Sequence, residues 1–485
     1  MNYRMIGRFL AQILAVEGIF MIPAAVISLA CHETQALHGF LCSLFAIAAV
    51  DAVLYTVCRK AESNFYAKEG LVCVGISWIV LGLFGCLPFY ASGVIPNFLD
   101  AMFEIVSGFT TTGATILSEV ESLPRGILYW RSFSHWLGGM GVLVFLLALA
   151  PTRGARSGGY TMHILRAESP GPNVGKLVPK MRETAKILYR MYILLTVLNV
   201  GFLLAGHMPL FDAVCTAFGT AGTGGFGVRN DSIAGYSPYL QNVCTIFMLL
   251  FGVNFSCYYL LLMRKVKNVF KDEELRLYLG IVLGSIALIV WDLRGFYGTL
   301  GETIRHAAFQ VSSIITTTGF ATTDFDLWPS FSKAILLGLM VVGACTGSTG
   351  GGLKVGRALL LFKSLRRNIR RVLHPQKVQI VRNNGHMVDE QILDNTNAYL
   401  AAYVIIVILS VIAISLDEYS VTTNLSAVLA CFNNIGPGLD MVGPTQSFGG
   451  FSALSKVVLI ADMLAGRLEI FPILILFSRS TWTRR

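Results

Sequence analysis

Four short runs rich in threonine, glycine and asparagine carry the oxygen atoms most suited to chemistry in this chain. They are VSGFTTTGATIL (106–117), AGTGGFGV (221–228), SIITTTGFATTDF (313–325) and CFNNIGPGLD (431–440). Their candidate ligands are Thr110, Thr111, Thr112 and Gly113; Gly222, Thr223 and Gly224; Thr317, Thr318 and Gly319; and Asn434, Ile435 and Gly436. Backbone carbonyls and threonine hydroxyls in such a run can replace the hydration shell of an alkali cation. Glycine reaches φ > 0 without a steric penalty, so it lets successive carbonyls turn toward one axis. Aligning the Thr-Gly steps (Ile-Gly in the fourth run) places Gly113, Gly224, Gly319 and Gly436 in register, 111, 95 and 117 residues apart. The fourth run has Ile435 where the others have threonine, so coordination there falls to backbone oxygens.

A second constellation is GACTGSTGGGLKVGR (343–357), with six glycines. It does not match the phosphate-binding G-x-x-x-x-G-K-[ST], because Lys354 is followed by Val355. Glycines at this density break a helix. The candidate residues here are Gly343, Thr346, Gly347, Ser348, Thr349, Gly350, Gly351, Gly352 and Lys354. Arg467 stands in the apolar run IADMLAGRLEIFP, where an arginine either faces a cavity or partner or snorkels to the surface. Glu469, two residues on, lies on another helical face and is a poor intrahelical partner.

The elements that must position these groups follow from composition. Charged residues make up 14% of 485, AVILMFWYC 54%, and the mean hydropathy is +0.64. A water-soluble globule could not bury that much apolar surface. Ten apolar segments are each long enough to cross a bilayer as a helix: 5–30, 36–57, 69–91, 130–150, 186–206, 239–263, 276–293, 331–362, 395–416 and 451–478. Each Thr/Gly run follows a half-apolar stretch too short to span, between two spans, and reads as a re-entrant segment. The chain is therefore read as an all-α polytopic membrane protein. It has four helix–pore-helix–helix repeats (66–155, 183–265, 274–375 and 390–485) around a central pore, plus two extra N-terminal helices (1–65).

Of 38 Lys and Arg, 29 fall in the alternating stretches 1–8, 58–68, 151–186, 264–276, 354–386 and 479–485. The positive-inside rule puts these, and both termini, in the cytoplasm. The basic run 363–377 reads as a membrane-surface or protein-docking face, with no nucleic acid expected. Asp100, Glu104, Glu119, Glu121, Asp212, Asp231, Asp324, Asp326 and Asp440 collect on the opposite side, where negative fields would concentrate cations. The ten cysteines are scattered and form no C-x-x-C pair. No H-E-x-x-H, nucleophile elbow or Walker A is present, so no enzyme and no resident cofactor is expected.

The four runs resemble the filter loops of the Trk/Ktr/HKT superfamily of potassium and sodium transporters. The resemblance covers essentially the whole chain. The two extra N-terminal helices and the long loop at 354–390 are more similar to the TrkH branch, the membrane subunits of bacterial Trk potassium uptake systems, than to Ktr. This resemblance implies a multi-pass inner-membrane protein that passes K⁺ as its transported ion. It implies that Gly343–Lys354 is an intramembrane gate and that Arg467 lies in the permeation path below the filter. It also implies a homodimer regulated by a cytosolic TrkA-like ring that binds NAD or ATP. Sodium-coupled symport or sodium permeation within the same superfamily is the alternative.

Overall fold

The computed structural model describes residues 3–59, 67–141 and 181–482. The second half of the segment 130–150 and most of the basic stretch 151–186 lie outside the described residues. The described chain is mainly helical, with a two-residue hairpin pairing Arg382–Asn383 with His386–Met387. Among the described residues six helices are long and apolar enough to cross a membrane, including Tyr3–Ala30, Thr34–Cys58, Glu183–Ala205 and Glu273–Asp292. They turn large apolar side chains outward: Phe45 is 77% and Leu283 65% exposed. Such faces are stable only against lipid or a partner. The chain is a multi-pass, all-α membrane protein.

Three of the ten apolar segments are broken, two of them where no break is expected. Pro238–Phe251 and Phe255–Leu262 meet at 89°, because Asn254 caps the second helix by accepting from the Ser256 N–H at 2.9 Å. Ser330–Val342 and Val355–Leu373 flank the glycine-rich loop, where the sequence called for a break. Ala453–Arg467 ends at Leu468, and Phe471–Phe477 follows a turn in which Glu469 and Ile470 both have φ above 55°. Left-handed φ at a β-branched residue is an outlier, so this turn is held by its surroundings.

Four half-helices pack inside the long ones: Phe98–Phe109, Leu210–Gly222, Leu300–Ile315 and Val421–Phe432. Most of the residues in each are buried. Asn97, Thr299 and Ser420 cap three of their N-termini through side-chain oxygens.

Candidate ion site and gate

All four half-helices end in the same way. Thr111, Thr223, Thr317 and Asn434 take φ between 55° and 58°. The N–H of each bonds the carbonyl three residues back, and the next N–H bonds the carbonyl five back: Thr112 to Ser107 at 2.8 Å, Gly224 to Gly219 at 2.9 Å, Thr318 to Ser313 at 2.8 Å, Ile435 to Ala430 at 2.8 Å. This is the Schellman ending, which normally uses glycine at the left-handed position. Three threonines and an asparagine occupy it here. Threonine is strained at positive φ, and such strain clusters at functional sites.

The shared geometry sets the register. Gly113, Gly225, Gly319 and Gly436 each follow two residues after the left-handed position, and all have φ of 76° to 99°. The alignment by Thr-Gly steps placed Gly224 in this set; the structure puts Gly225 there instead. Gly224 is the counterpart of Thr112, and Gly222 of Thr110. The true partner signal was the pair Gly225-Phe226, which matches Gly319-Phe320. The same register brings in Thr316 and Asn433, both absent from the candidate ligands.

The four segments at the ends of the half-helices, 110–113, 222–225, 316–319 and 433–436, are called strands below, and they close a ring. A Cβ added to Gly113 would overlap the carbonyl oxygen of Gly224, on Gly225 that of Thr318, and on Gly319 that of Ile435. On Gly436 it would lie 2.8 Å from the oxygen of Thr112. The contacts run from the first strand through the second, third and fourth and back to the first. Here glycine is required twice over, by φ and by the approach of a neighbouring backbone. On one side of the ring lies a cavity of about 180 Å³, lined by all four of these glycines together with Thr115, Arg131, Phe226 and Gln446.

The threonine hydroxyls are largely committed within the protein. Thr110 donates to Val106 O at 2.6 Å and Thr316 to Ser312 O at 2.6 Å. Each hydroxyl has one proton, so in the pairs Thr110–Thr112 and Thr316–Thr318, both 2.8 Å, the second threonine donates. The protons of these four hydroxyls are therefore all directed to oxygens within the protein.

The acidic groups do not line the cavity; its charged side chains are Arg131 and Arg229. Glu104 is fully buried, bonded to Arg131 at 2.5 Å and accepting from Thr115 and from the Ile116 N–H. Asp100 pairs with Lys456 at 2.7 Å, and Asp326 with Lys333 at 3.5 Å. Asp440 accepts from Ser420 and Thr423. Glu104 needs its partner because a desolvated charge is tolerable only when paired, and the more exposed carboxylates tie neighbouring loops together. Sequence reasoning also missed His135. Its Nε2 accepts from the Phe226 N–H at 3.3 Å, so its Nδ1 carries the proton and donates to Gly108 O at 2.8 Å. That neutral ring joins the first repeat to the second.

The glycine-rich loop packs against the end of the ring bearing the left-handed residues. The Gly351 N–H donates to Thr317 Oγ1 at 2.6 Å, and Gly350 lies against the Thr316 carbonyl. Thr349 Oγ1 donates to Phe251 O at 3.3 Å, and the Thr346 N–H to Glu274. The Gly347 carbonyl accepts from the Phe255 N–H. Ser348 folds back on Cys345, and buried Lys354 donates to the Gly350 carbonyl. Gly343 and Gly352, both at positive φ, touch at the loop's neck.

Arg467 meets this loop. Its guanidinium donates to Thr349 O at 3.0 Å, Gly139 O at 2.8 Å and Gly138 O, with Thr111 Oγ1 at 3.4 Å. It is therefore no snorkelling side chain: it joins the fourth repeat, the loop and the first strand. Glu469 turns away to Arg357, with oxygens 2.5 and 3.3 Å from the guanidinium.

Residues 37–290 and 298–483 match the TrkH family, described as cation transport proteins. The chain belongs to the TrkH family. It is 37% identical over 99% of its length to all of the Trk system potassium uptake protein TrkH of Salmonella typhimurium. It is 33% identical to the Trk system potassium uptake protein TrkG of Escherichia coli, with 96% of each chain covered. It superposes over the whole of both chains on the crystal structure of the potassium transporter TrkH from Vibrio parahaemolyticus, with a TM-score of 0.88 and 31% identity. As a TrkH-family chain it is a polytopic helical protein, and among its described residues no cluster of His, Cys, Asp or Glu could hold a metal ion.

Proposed function

We propose that this chain takes up K⁺ across a bacterial inner membrane through the four-strand ring, with both termini in the cytoplasm. The observation that carries the reading is the closed ring of glycines against the carbonyls of Thr112, Gly224, Thr318 and Ile435, opening onto a cavity. The half-helices point their partially negative C-terminal ends at that ring, which favours a cation. The named relatives, potassium uptake proteins, support the choice of ion.

In this reading the cavity is the outer mouth, and Gly343–Lys354 with Arg467 is the gate on the inner side. The loop abuts two of the four strands, and a fixed guanidinium beneath them opposes a passing cation. The basic helix Val355–Leu373 continues from the loop and is the natural lever for a cytosolic TrkA-like nucleotide-binding ring, with the chain working as a homodimer. Rubidium uptake into liposomes holding the purified protein, with and without a sodium gradient, tests the reading. Uptake independent of the sodium gradient is expected. Uptake that requires sodium would favour the symport alternative, and no uptake of either ion would overturn the proposal.

A further inference from the structure

Three of the four left-handed positions carry threonine, and the fourth carries Asn434. Asparagine tolerates that conformation better than threonine. Yet buried Asn434 leaves its Oδ1 without a partner, a desolvation cost that a smaller hydroxyl would not incur. What the amide adds is its nitrogen. Nδ2 donates to Thr112 Oγ1 at 2.9 Å and to Met463 O at 3.0 Å, with Cys431 O at 3.5 Å. Two of these partners are carbonyls, which only accept, so the orientation of the amide is decided. The donors then run in one direction, from Asn434 to Thr112 to Thr110 to Val106 O.

This bond crosses the ring at a particular seam. At three seams the glycine Cα presses on the facing carbonyl so closely that a Cβ would overlap it. At the seam between the fourth strand and the first, the added Cβ would lie 2.8 Å from the Thr112 oxygen, with the Gly113 carbonyl carbon and oxygen at 2.9 and 3.0 Å. The fourth strand also has Ile435 where Thr112 and Thr318 stand, so it has no hydroxyl of its own at that level. The seam that Asn434 bridges is the one where the contact is spread over three backbone atoms instead of pressed on a single oxygen.

We propose that Asn434 is a positioning residue that sets discrimination between K⁺ and Na⁺, by holding the Thr112 carbonyl at the seam between the fourth and first strands. The proposal rests on the reading of the ring as the ion pathway. It does not require the Asn434 side chain to touch the ion. Loss of the bond lets the seam relax, and a ring that adapts its width loses its preference between two cations of different size.

The test uses the full chain in liposomes, reading the K⁺/Na⁺ permeability ratio and melting temperature together. Asn434→Leu removes the donor at similar volume and is expected to lower the ratio about three- to tenfold while cation flux persists. Asn434→Thr copies the other three repeats, so the backbone accepts it, and is expected to lower the ratio in the same direction. Thr112→Val should reproduce the loss, and adding Asn434→Leu to it should change the ratio by less than about twofold. Thr318→Val, at the matching position without a bond to an asparagine, should change it less than Thr112→Val. A wild-type ratio in Asn434→Thr, or independent multiplying effects in the double variant, would overturn the proposal. A wild-type protein that passes no K⁺ would instead overturn the function on which it rests.

Discussion

The hydroxyl of Thr317 accepts a hydrogen bond from the backbone N–H of Gly351, at 2.6 Å. One partner lies in the third strand of the ring and the other in the glycine-rich loop, 34 residues on in the chain. Ring and loop are thus joined by a direct bond, and the loop cannot withdraw without breaking it. Thr111 stands in a similar relation to Arg467, more loosely, at 3.4 Å.

Thr317→Val keeps the shape of the side chain and removes the acceptor. A typical intramolecular hydrogen bond contributes about 1 kcal/mol, and each 1.4 kcal/mol is about tenfold. The variant should raise basal rubidium flux per folded molecule about fivefold in the absence of any cytosolic partner. Flux equal to wild type would separate the loop from gating.

Arg467→Ala removes a cation beneath the ring together with its bonds to Gly138, Gly139 and Thr349. Two unit charges about 4 Å apart repel by about 4 kcal/mol at an effective dielectric near 20, so flux should rise by up to about a thousandfold. Arg467→Lys keeps the charge and loses the fork of donors. If charge is the barrier, the lysine variant stays nearly closed while the alanine variant leaks. If both leak equally, the bonds to the loop matter and the charge does not.

Gly225→Ala should abolish uptake as completely as Gly113→Ala, since each places a Cβ on the carbonyl of the next strand. Gly338→Ala, in a helix with open space around the Cα, should be neutral or slightly stabilising. Substantial uptake by Gly225→Ala would show that the ring's register is wrong.

Glu104→Gln should destabilise the fold by about 3–5 kcal/mol, because it leaves the Arg131 guanidinium buried with a neutral partner. The check is the melting temperature of the detergent-solubilised protein. A variant as stable as wild type would mean that this pair does not brace the first repeat.

Asp440 is exposed at φ 60°, and hydrogen bonds from Ser420 and Thr423 hold its carboxyl below the ordinary value of 3.8. A depressed carboxyl contributes stability that is complete above the unfolded value and is lost as pH falls through the folded one. Wild type should therefore out-melt Asp440→Asn at pH 5, and the gap should narrow as pH drops below about 4. A gap that stays constant down to pH 3 would remove the carboxylate from the account.

The sequence by itself determined the membrane class, the four short helices that end in Thr/Gly/Asn runs and the break at 343–354. These rest on local quantities: apolar length, glycine density and the spacing of Thr-Gly steps. It singled out Thr111, Thr317 and Arg467 as candidates, since an arginine in an apolar run is conspicuous in any context. Only the tertiary structure decided the register of the second strand. Gly224 and Gly225 are chemically identical, and what separates them is which Cα meets the Thr318 carbonyl. The role of Glu104 was equally hidden. Its place in the sequence suggests an open mouth, but the partner that neutralises it, Arg131, is 27 residues away on another helix. The breaks at Gly252–Asn254 and Leu468–Ile470 lie in runs apolar enough to be continuous helices. Packing against other repeats overrides local propensity there, and that packing exists only once the four units close on one another.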